Sequence, residues 1–398
     1  MSAAKSTRSV SSAAKSTSSR SRSATGQQEQ IPLARPVLGQ AEERAAIAVL
    51  RSGRLSLGPR TEQFEQAFAA CVGAGFASAV SSGTAGLHLA VRAAGVSEGD
   101  EVLTSPFSFV ASANAVLYAG ARPVFADIDP VTLNLDPAAA AAAVGERTAA
   151  LLPVHIFGYP ADMPAFEDLA QRHRLAIVED ACEALGGVHA DGPPIGGRGQ
   201  PAVFGFYANK QLTTGEGGMV VHSDAALKQR VDSERNQGRA ADMGSLEHDR
   251  LGFNYRLSEI AAAIGIVQLE RLDEMLAARS WVARCYREAL SGIEGVELPC
   301  PDTDGNTRGW FVFVVQLPRD ADREQTVRAL AEAGIQSKPY MPAIHLLSYY
   351  RERFGHRSGE FPVCEDVAAR SLALPFFPGM EEGRVARVAE ALAAALGR

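Results

Sequence analysis

The chain has no Cys-x-x-Cys pair; its five cysteines stand alone at Cys71, Cys182, Cys285, Cys300 and Cys364. Without paired spacing, neither a disulfide framework nor a cysteine-based zinc site is expected, and a reducing cytoplasm suits such thiols. No apolar run approaches the ~20 residues that span a bilayer, so the protein is expected to be soluble, with no membrane partner. The eight histidines show no His-x-x-x-His spacing, and no metal is indicated. A P-loop is absent, since no Gly-x-x-x-x-Gly-Lys-[Ser/Thr] occurs. No Gly-x-Gly-x-x-Gly opens a helix after a strand either, which leaves a dinucleotide fold unsupported.

What is there is an ordinary globular composition. The chain has 398 residues, 46% hydrophobic and 21% charged, enough for a large domain and a smaller one. Its net charge of −7 is unevenly spread. Residues 1–30 hold Lys5, Arg8, Lys15, Arg20 and Arg22 against one acid, Glu29, so the remainder is more acidic than the total. That argues against nucleic acid as a partner. The basic stretch lacks aromatic residues and repeats Ser2-Ala-Ala-Lys-Ser-Thr7 as Ser12-Ala-Ala-Lys-Ser-Thr17. Having little to bury, it reads as a disordered tail, although an Arg- and Ser-rich, acid-poor leader is also the composition of a transit peptide.

From Ile31 onward, short apolar runs alternate with amphipathic stretches. Strands are expected at Glu101–Leu103, Pro123–Ala126, Ala150–Val154, Leu175–Glu179, Val203–Tyr207 and Met219–His222. Helices are expected at Ala85–Ala94, Phe109–Tyr118, Ala138–Ala143 and Ala165–His173. This alternation predicts an α/β domain, a mostly parallel sheet covered by helices, over residues 31–275. A long helix from Glu259 to Leu276, with Ser258 as N-cap, leads into a smaller α+β domain, residues 276–398. There Gly309–Gln316 reads as a strand, and Arg323–Ala333 and Arg384–Leu396 read as helices.

Two residues carry the chemistry. Asp180 ends one apolar run, and Lys210 follows another in Gly205-Phe-Tyr-Ala-Asn-Lys-Gln-Leu-Thr-Thr-Gly-Glu-Gly-Gly218. Ligands bind at the carboxyl ends of parallel strands, where both residues would lie. A lysine amine can form a Schiff base with the aldehyde of pyridoxal 5'-phosphate (PLP), and an aspartate can pair with its pyridine nitrogen. Singly, each has a plainer reading, a solvated surface charge for the lysine and a turn cap for the aspartate. Ser81-Ser-Gly-Thr84 before a helix offers N–H groups, hydroxyls and the positive dipole end to a phosphate, or serves only as an N-cap.

These stretches, with Thr104-Ser-Pro-Phe-Ser-Phe-Val-Ala111, Leu152-Pro-Val-His-Ile-Phe-Gly158, Val178-Glu-Asp-Ala-Cys-Glu-Ala184 and Gly252-Phe-Asn-Tyr-Arg-Leu-Ser-Glu-Ile260, resemble in order and spacing the DegT/DnrJ/EryC1/StrS sugar aminotransferases. The resemblance covers residues 31–398 and implies a fold type I PLP-dependent transferase. By position it makes Lys210 the Schiff-base lysine and proton shuttle, Asp180 the partner of the pyridine nitrogen, and Phe109 the ring stacked on the cofactor. Gly83 and Thr84 would hold the phosphate, joined by Asn254 of a neighbouring subunit, and Arg256 and His345 would face the substrate. From the residues alone, Phe109 reads as core, Asn254 and Arg256 as loop, and His345 as structural. Two positions depart from the family pattern. Gly205 stands where a serine phosphate ligand is common, and Glu183 stands where Gln or His faces the cofactor's phenolic oxygen. A carboxylate there must hold a proton or turn to the substrate.

The function this implies is transfer of an amino group from glutamate or glutamine to a nucleotide-linked keto-deoxyhexose, at C4, by a cytoplasmic homodimer with shared active sites. Two rivals are a PLP- or pyridoxamine-phosphate-dependent sugar dehydratase, whose relatives carry histidine at the position of Lys210, and a non-catalytic regulator on the same fold. UDP-, GDP- or dTDP-sugars, C3 amination and a cyclitol ketone stay open as acceptors.

Overall fold

Eight short strands build the central sheet in the computed structural model, which describes residues 29–240, 246–302 and 305–398. They are β1 (Phe76–Val80), β2 (Glu101–Thr104), β3 (Arg122–Phe125), β4 (Thr148–Leu152), β5 (Ala176–Ile177), β6 (Glu179–Asp180), β7 (Ala202–Gly205) and β8 (Gly218–His222). The segments β5 and β6 continue one another across Val178, whose N–H donates to Leu151. The order is therefore β3-β2-β4-β5/β6-β7-β8-β1. Only β8 runs against its neighbours, as expected for a mostly parallel sheet.

Period-two alternation sends side chains to both faces. Ala202, Phe204, Met219 and Val221 join Phe64 and Phe68 of the helix Pro59–Val72 on one face. Val203 and Val220 join Leu87 and Ala90 of the helix Gly83–Ala93 on the other. Burial on both faces explains why these runs show no polar alternation in sequence. Among the described residues, no helix is long and apolar enough to cross a membrane.

The C-terminal portion centres on an antiparallel sheet of β9 (Phe313–Gln316), β10 (Lys338–Pro339) and β11 (Ser371–Leu374), ordered β10-β11-β9. Its core takes in Val282, Tyr286 and Leu290 of the helix Leu272–Leu290, and also Ile31, which bridges to Ile335. The described residues thus begin against this unit. Most of the basic tail lies outside the described residues, but Glu29 accepts from Arg384 at 2.7 Å.

Several expectations need correction. The long helix is two: Ser258 caps Glu259–Glu270, its hydroxyl accepting from the Ala261 N–H at 3.2 Å. The helix then breaks at Arg271, whose guanidinium pairs with buried Glu42 at 3.2 Å, and Leu272–Leu290 follows. The proposed boundary at 275/276 falls inside that second helix. Only Phe313–Gln316 of the expected strand 309–316 pairs as a strand, since residues 309–311 are bound to other segments. The strand Phe76–Val80 and the helices Gln40–Ser52 and Pro59–Val72 have no counterpart in the sequence reading.

Candidate active site

The topology gathers the chemistry-bearing residues at one edge. Gly83 and Thr84 follow β1, Phe109 follows β2, Asp180 ends β6 and Lys210 follows β7. All four strands run the same way, so these are carboxyl ends, where ligands sit in such sheets. The strands β6 and β7 are paired neighbours, which brings the aspartate and the lysine to one crevice.

Asp180 is held at both oxygens. Its Oδ2 accepts from the Ser112 hydroxyl at 2.6 Å, and its Oδ1 from the Cys182 N–H at 3.1 Å. Ser112 in turn meets the Ser108 hydroxyl at 2.7 Å. The Lys210 amine lies 3.5 Å from Glu183 Oε1 and 3.9 Å from the centroid of the Phe311 ring. Both acids and the lysine converge on the Cys182 thiol. Burial, then Asp180, push its pKa well above the ordinary range, while Lys210 opposes them.

Glu183 is also fixed, its Oε2 accepting from the Phe157 N–H at 3.1 Å. Phe157 adopts φ 52°, a left-handed conformation that costs a non-glycine residue free energy. Burial raises the Glu183 pKa, against the nearby Lys210 amine and the Phe157 N–H, and Asp180 adds to the rise. The sign follows. A raised carboxyl pKa gives stability that is full below the unfolded value and lost as pH rises through the folded one. Glu183→Gln should therefore gain melting temperature relative to the parent, more at pH 8 than at pH 4.5. A difference independent of pH would show that the group is not proton-linked.

One end of the site is shaped by glycine. Helix Gly83–Ala93 starts here, and the first turn of a helix leaves its N–H groups without intrahelical partners. The Ser82 hydroxyl takes only that of Ala85, at 3.1 Å. A Cβ on Gly83 would stand 2.8 Å from Cys182 Sγ, and one on Gly218 would stand 2.7 Å from the Ser82 carbonyl carbon. At Gly205 the nearest atoms to a Cβ are those of Cys182 at 3.5 and 3.6 Å, ordinary contacts, so the departure from serine leaves room rather than a clash. Gly83→Ala is expected to weaken PLP retention about tenfold or more, as overpacking costs about 1–3 kcal/mol. Adding Cys182→Ala should restore much of it. Unchanged retention in Gly83→Ala, measured by equilibrium dialysis, would refute the close fit.

These features suit PLP. Phe109, expected in the helix and in the core, precedes the helix Ala111–Tyr118 and is 60% exposed, a ring left uncovered at the site edge. Asn209 Oδ1, beside Lys210, is buried and has no hydrogen-bond partner among the described residues.

Asn254 and Arg256 lie on an extended segment along the end of β1, where Tyr255 O accepts from the Ser81 N–H at 2.7 Å. Tyr255 turns inward onto Phe253 and His88. Strand alternation directs its two neighbours the other way, and Arg256 lines a cavity of about 440 Å³ with Arg235, Arg239 and Leu57. Arg256 donates to Asn236 at 2.9 Å. Neither Asn254 nor Arg256 is hydrogen-bonded to Asp180, Glu183 or Lys210 within the chain.

His345 must be corrected. It has no exposure, its Nε2 meets Glu365 at 3.1 Å, and its ring packs edge-on against Phe361 at 4.7 Å. Burial lowers its pKa despite Glu365. The same segment reaches the site through Tyr340 instead, which stacks on Phe157 at 5.9 Å and lies 6.4 Å from Phe311. Burial and then the Glu183 charge raise its phenol pKa. Sequence reasoning missed Tyr340, Phe311 and Ser112, although Tyr340 stands only five residues before His345.

Among the described residues, one buried group has metal-ligand chemistry: His155, Glu179 and His189, with one ligand atom of each within 4.8 Å of the others. The Ala161 N–H donates to His155 Nδ1 at 3.0 Å. That puts the ring proton on Nε2, which donates to Glu179 at 2.9 Å. The tautomer leaves His155 no lone pair for a metal.

Comparison with known proteins gives the family. The DegT/DnrJ/EryC1/StrS aminotransferase family matches residues 36–393. The spore coat polysaccharide biosynthesis protein SpsC of Bacillus subtilis (strain 168) is 39% identical over 375 residues, 91% of this chain and 96% of SpsC. DesV of S. venezuelae, solved in complex with a ketimine intermediate, superposes with a TM-score of 0.85 at 37% identity, covering 90% of this chain and 94% of DesV. The sugar aminotransferase CalS13 of Micromonospora echinospora gives 0.84 at 31% identity, covering 92% and 99%. With that match over nearly all of the described sequence, the chain belongs to the DegT/DnrJ/EryC1/StrS family and is a PLP-dependent aminotransferase.

Proposed function

We propose that this enzyme moves the amino group of L-glutamate, or of glutamine, to C4 of a nucleotide-linked keto-deoxyhexose for amino-sugar and polysaccharide synthesis. The observation that carries the reading is the Lys210 amine beside Glu183 on the strand end next to that of Asp180. When bound, PLP supplies an aldehyde that takes up the amino group and a ring that accepts the electrons released at the donor Cα. Lys210 would hold the aldehyde, and its amine would carry the proton from the donor Cα. Asp180 would face the ring nitrogen, its carboxylate fixed by Ser112 and the Cys182 N–H. Gly83 and Thr84 would hold the phosphate through the helix start, and Phe109 would supply a ring to stack on the cofactor. Glutamate leaves as its 2-keto acid, and the keto sugar leaves as the amine.

The sugar assignment draws support from SpsC and CalS13, named for polysaccharide biosynthesis and sugar amination. The site is completed by a second copy, whose Asn254 meets the phosphate and whose Arg256 meets a substrate anion. Exposed Leu55, Leu57, Leu246 and Leu251 supply apolar surface for that contact. The enzyme works in the cytoplasm, where nucleotide sugars and free glutamate are both at hand.

The test is incubation of the purified protein with glutamate or glutamine carrying nitrogen-15 at the α-amino group and a panel of 3-keto and 4-keto nucleotide sugars and a cyclitol ketone. A product carrying the label at C4 is expected. Label appearing only at C3, or only in a non-nucleotide ketone, would replace the acceptor, and no labelled product with any of them would overturn the reading.

A further inference from the structure

Position 279 sits on the buried face of the helix Leu272–Leu290, in line with Met275, Val282 and Tyr286, where the pattern calls for an apolar residue. Arginine stands there instead, 3% exposed. Among the described residues no carboxylate pairs with it, and burial alone pushes its pKa down to about 10, so it is charged at neutral pH. Such a cation is costly unless its hydrogen bonds matter.

Those bonds go to two carbonyls. Nη1 donates to Phe311 O at 3.0 Å, and Nη2 donates to Lys210 O at 3.2 Å. Phe311 and Lys210 are the residues whose ring and amine face each other at 3.9 Å. One planar group thus ties together the main chains of two residues 101 positions apart in sequence, the catalytic lysine and the aromatic wall behind it. A rigid fork suits two fixed acceptors, which a lysine amine on a flexible stem would not hold together. The next residue repeats the connection. Gln211 Nε2 donates to Glu183 O at 2.6 Å and to Gly309 O at 2.9 Å.

We infer that Arg279 is a positioning residue: it holds the backbone of Lys210 against that of Phe311 and so fixes where the lysine amine stands. The inference rests on the reading of Lys210 as the residue that binds PLP. A residue that only plugs the core would be replaceable by an apolar side chain of similar length, and that contrast sets the test.

Arg279→Met and Arg279→Lys would be prepared as apoproteins and mixed with PLP. Three quantities are read: the rate of covalent capture, the visible circular dichroism of the bound chromophore, and, after borohydride reduction, the peptide that carries the added mass. In the methionine variant, capture is expected to slow about tenfold or more, since a misplacement of ~1 Å can cost about 100-fold. The dichroic band should weaken, and the lysine variant should fall between it and the parent. A folded methionine variant with parental capture rate and dichroism would overturn the inference. If that variant does not fold, the lysine variant decides: slower capture with a weaker band supports it, and parental values overturn it. Mass found on a residue other than Lys210 in the parent would instead overturn the functional reading beneath it.

Discussion

Lys210→Ala should abolish covalent attachment of PLP and lower turnover by more than about 10³-fold, the scale of a lost nucleophile that also carries a proton. The fold should survive, because Lys210 lies outside any strand or helix and its backbone carbonyl still accepts from Arg279. Loss of the amine leaves Glu183 buried without its cation at 3.5 Å, a charge change that could be confused with the loss of chemistry. Lys210→Arg separates the two. It restores a cation near Glu183 but offers no amine that exchanges at neutral pH, so it should be as inactive as the alanine variant. Absorbance near the visible, mass after borohydride reduction and turnover are the measurements. A Lys210→Ala protein that makes product at the parental rate would remove the mechanism altogether.

The sequence carried the large outline of this site because its key residues follow strands. Asp180 and Lys210 each close an apolar run, and strand direction alone sends both to one end of a parallel sheet. Gly83 and Thr84 were legible as a turn entering a helix, although the strand before them was not foreseen. The aromatic wall was not. Phe311 meets Lys210, and Tyr340 meets Phe157, across more than 100 residues, and neither pairing leaves a local periodicity. Phe109 misled through composition, since an apolar ring reads as core although here it is uncovered. His345 misled through proximity: its segment does approach the site, but the short 3-10 turn Ile344–Leu346 rotates the imidazole inward to Glu365. The fracture of the long helix at Arg271 was equally invisible, since Glu42, the carboxylate that pairs with Arg271, is remote in sequence.

Asp180→Asn should slow the donor half-reaction about 10²- to 10³-fold, the scale of removing one preorganised electrostatic group, while leaving covalent capture of PLP by Lys210 intact. Asparagine matches the size of aspartate, and its carbonyl oxygen can still accept from Ser112 or from the Cys182 N–H. What disappears is the negative charge, and in its place an NH₂ group faces the ring nitrogen, a donor where a protonated nitrogen needs an acceptor. An unprotonated ring is a poorer electron sink, so removal of the Cα proton should slow while binding of the donor changes far less. Single-turnover absorbance with glutamate separates these, giving the rate at saturation and the half-saturating concentration. The contrast with the lysine variants is then diagnostic: those lose attachment, whereas this one stays yellow and stalls. An Asp180→Asn enzyme with a parental saturating rate would mean that this carboxylate anchors the cofactor without supplying its charge to the reaction.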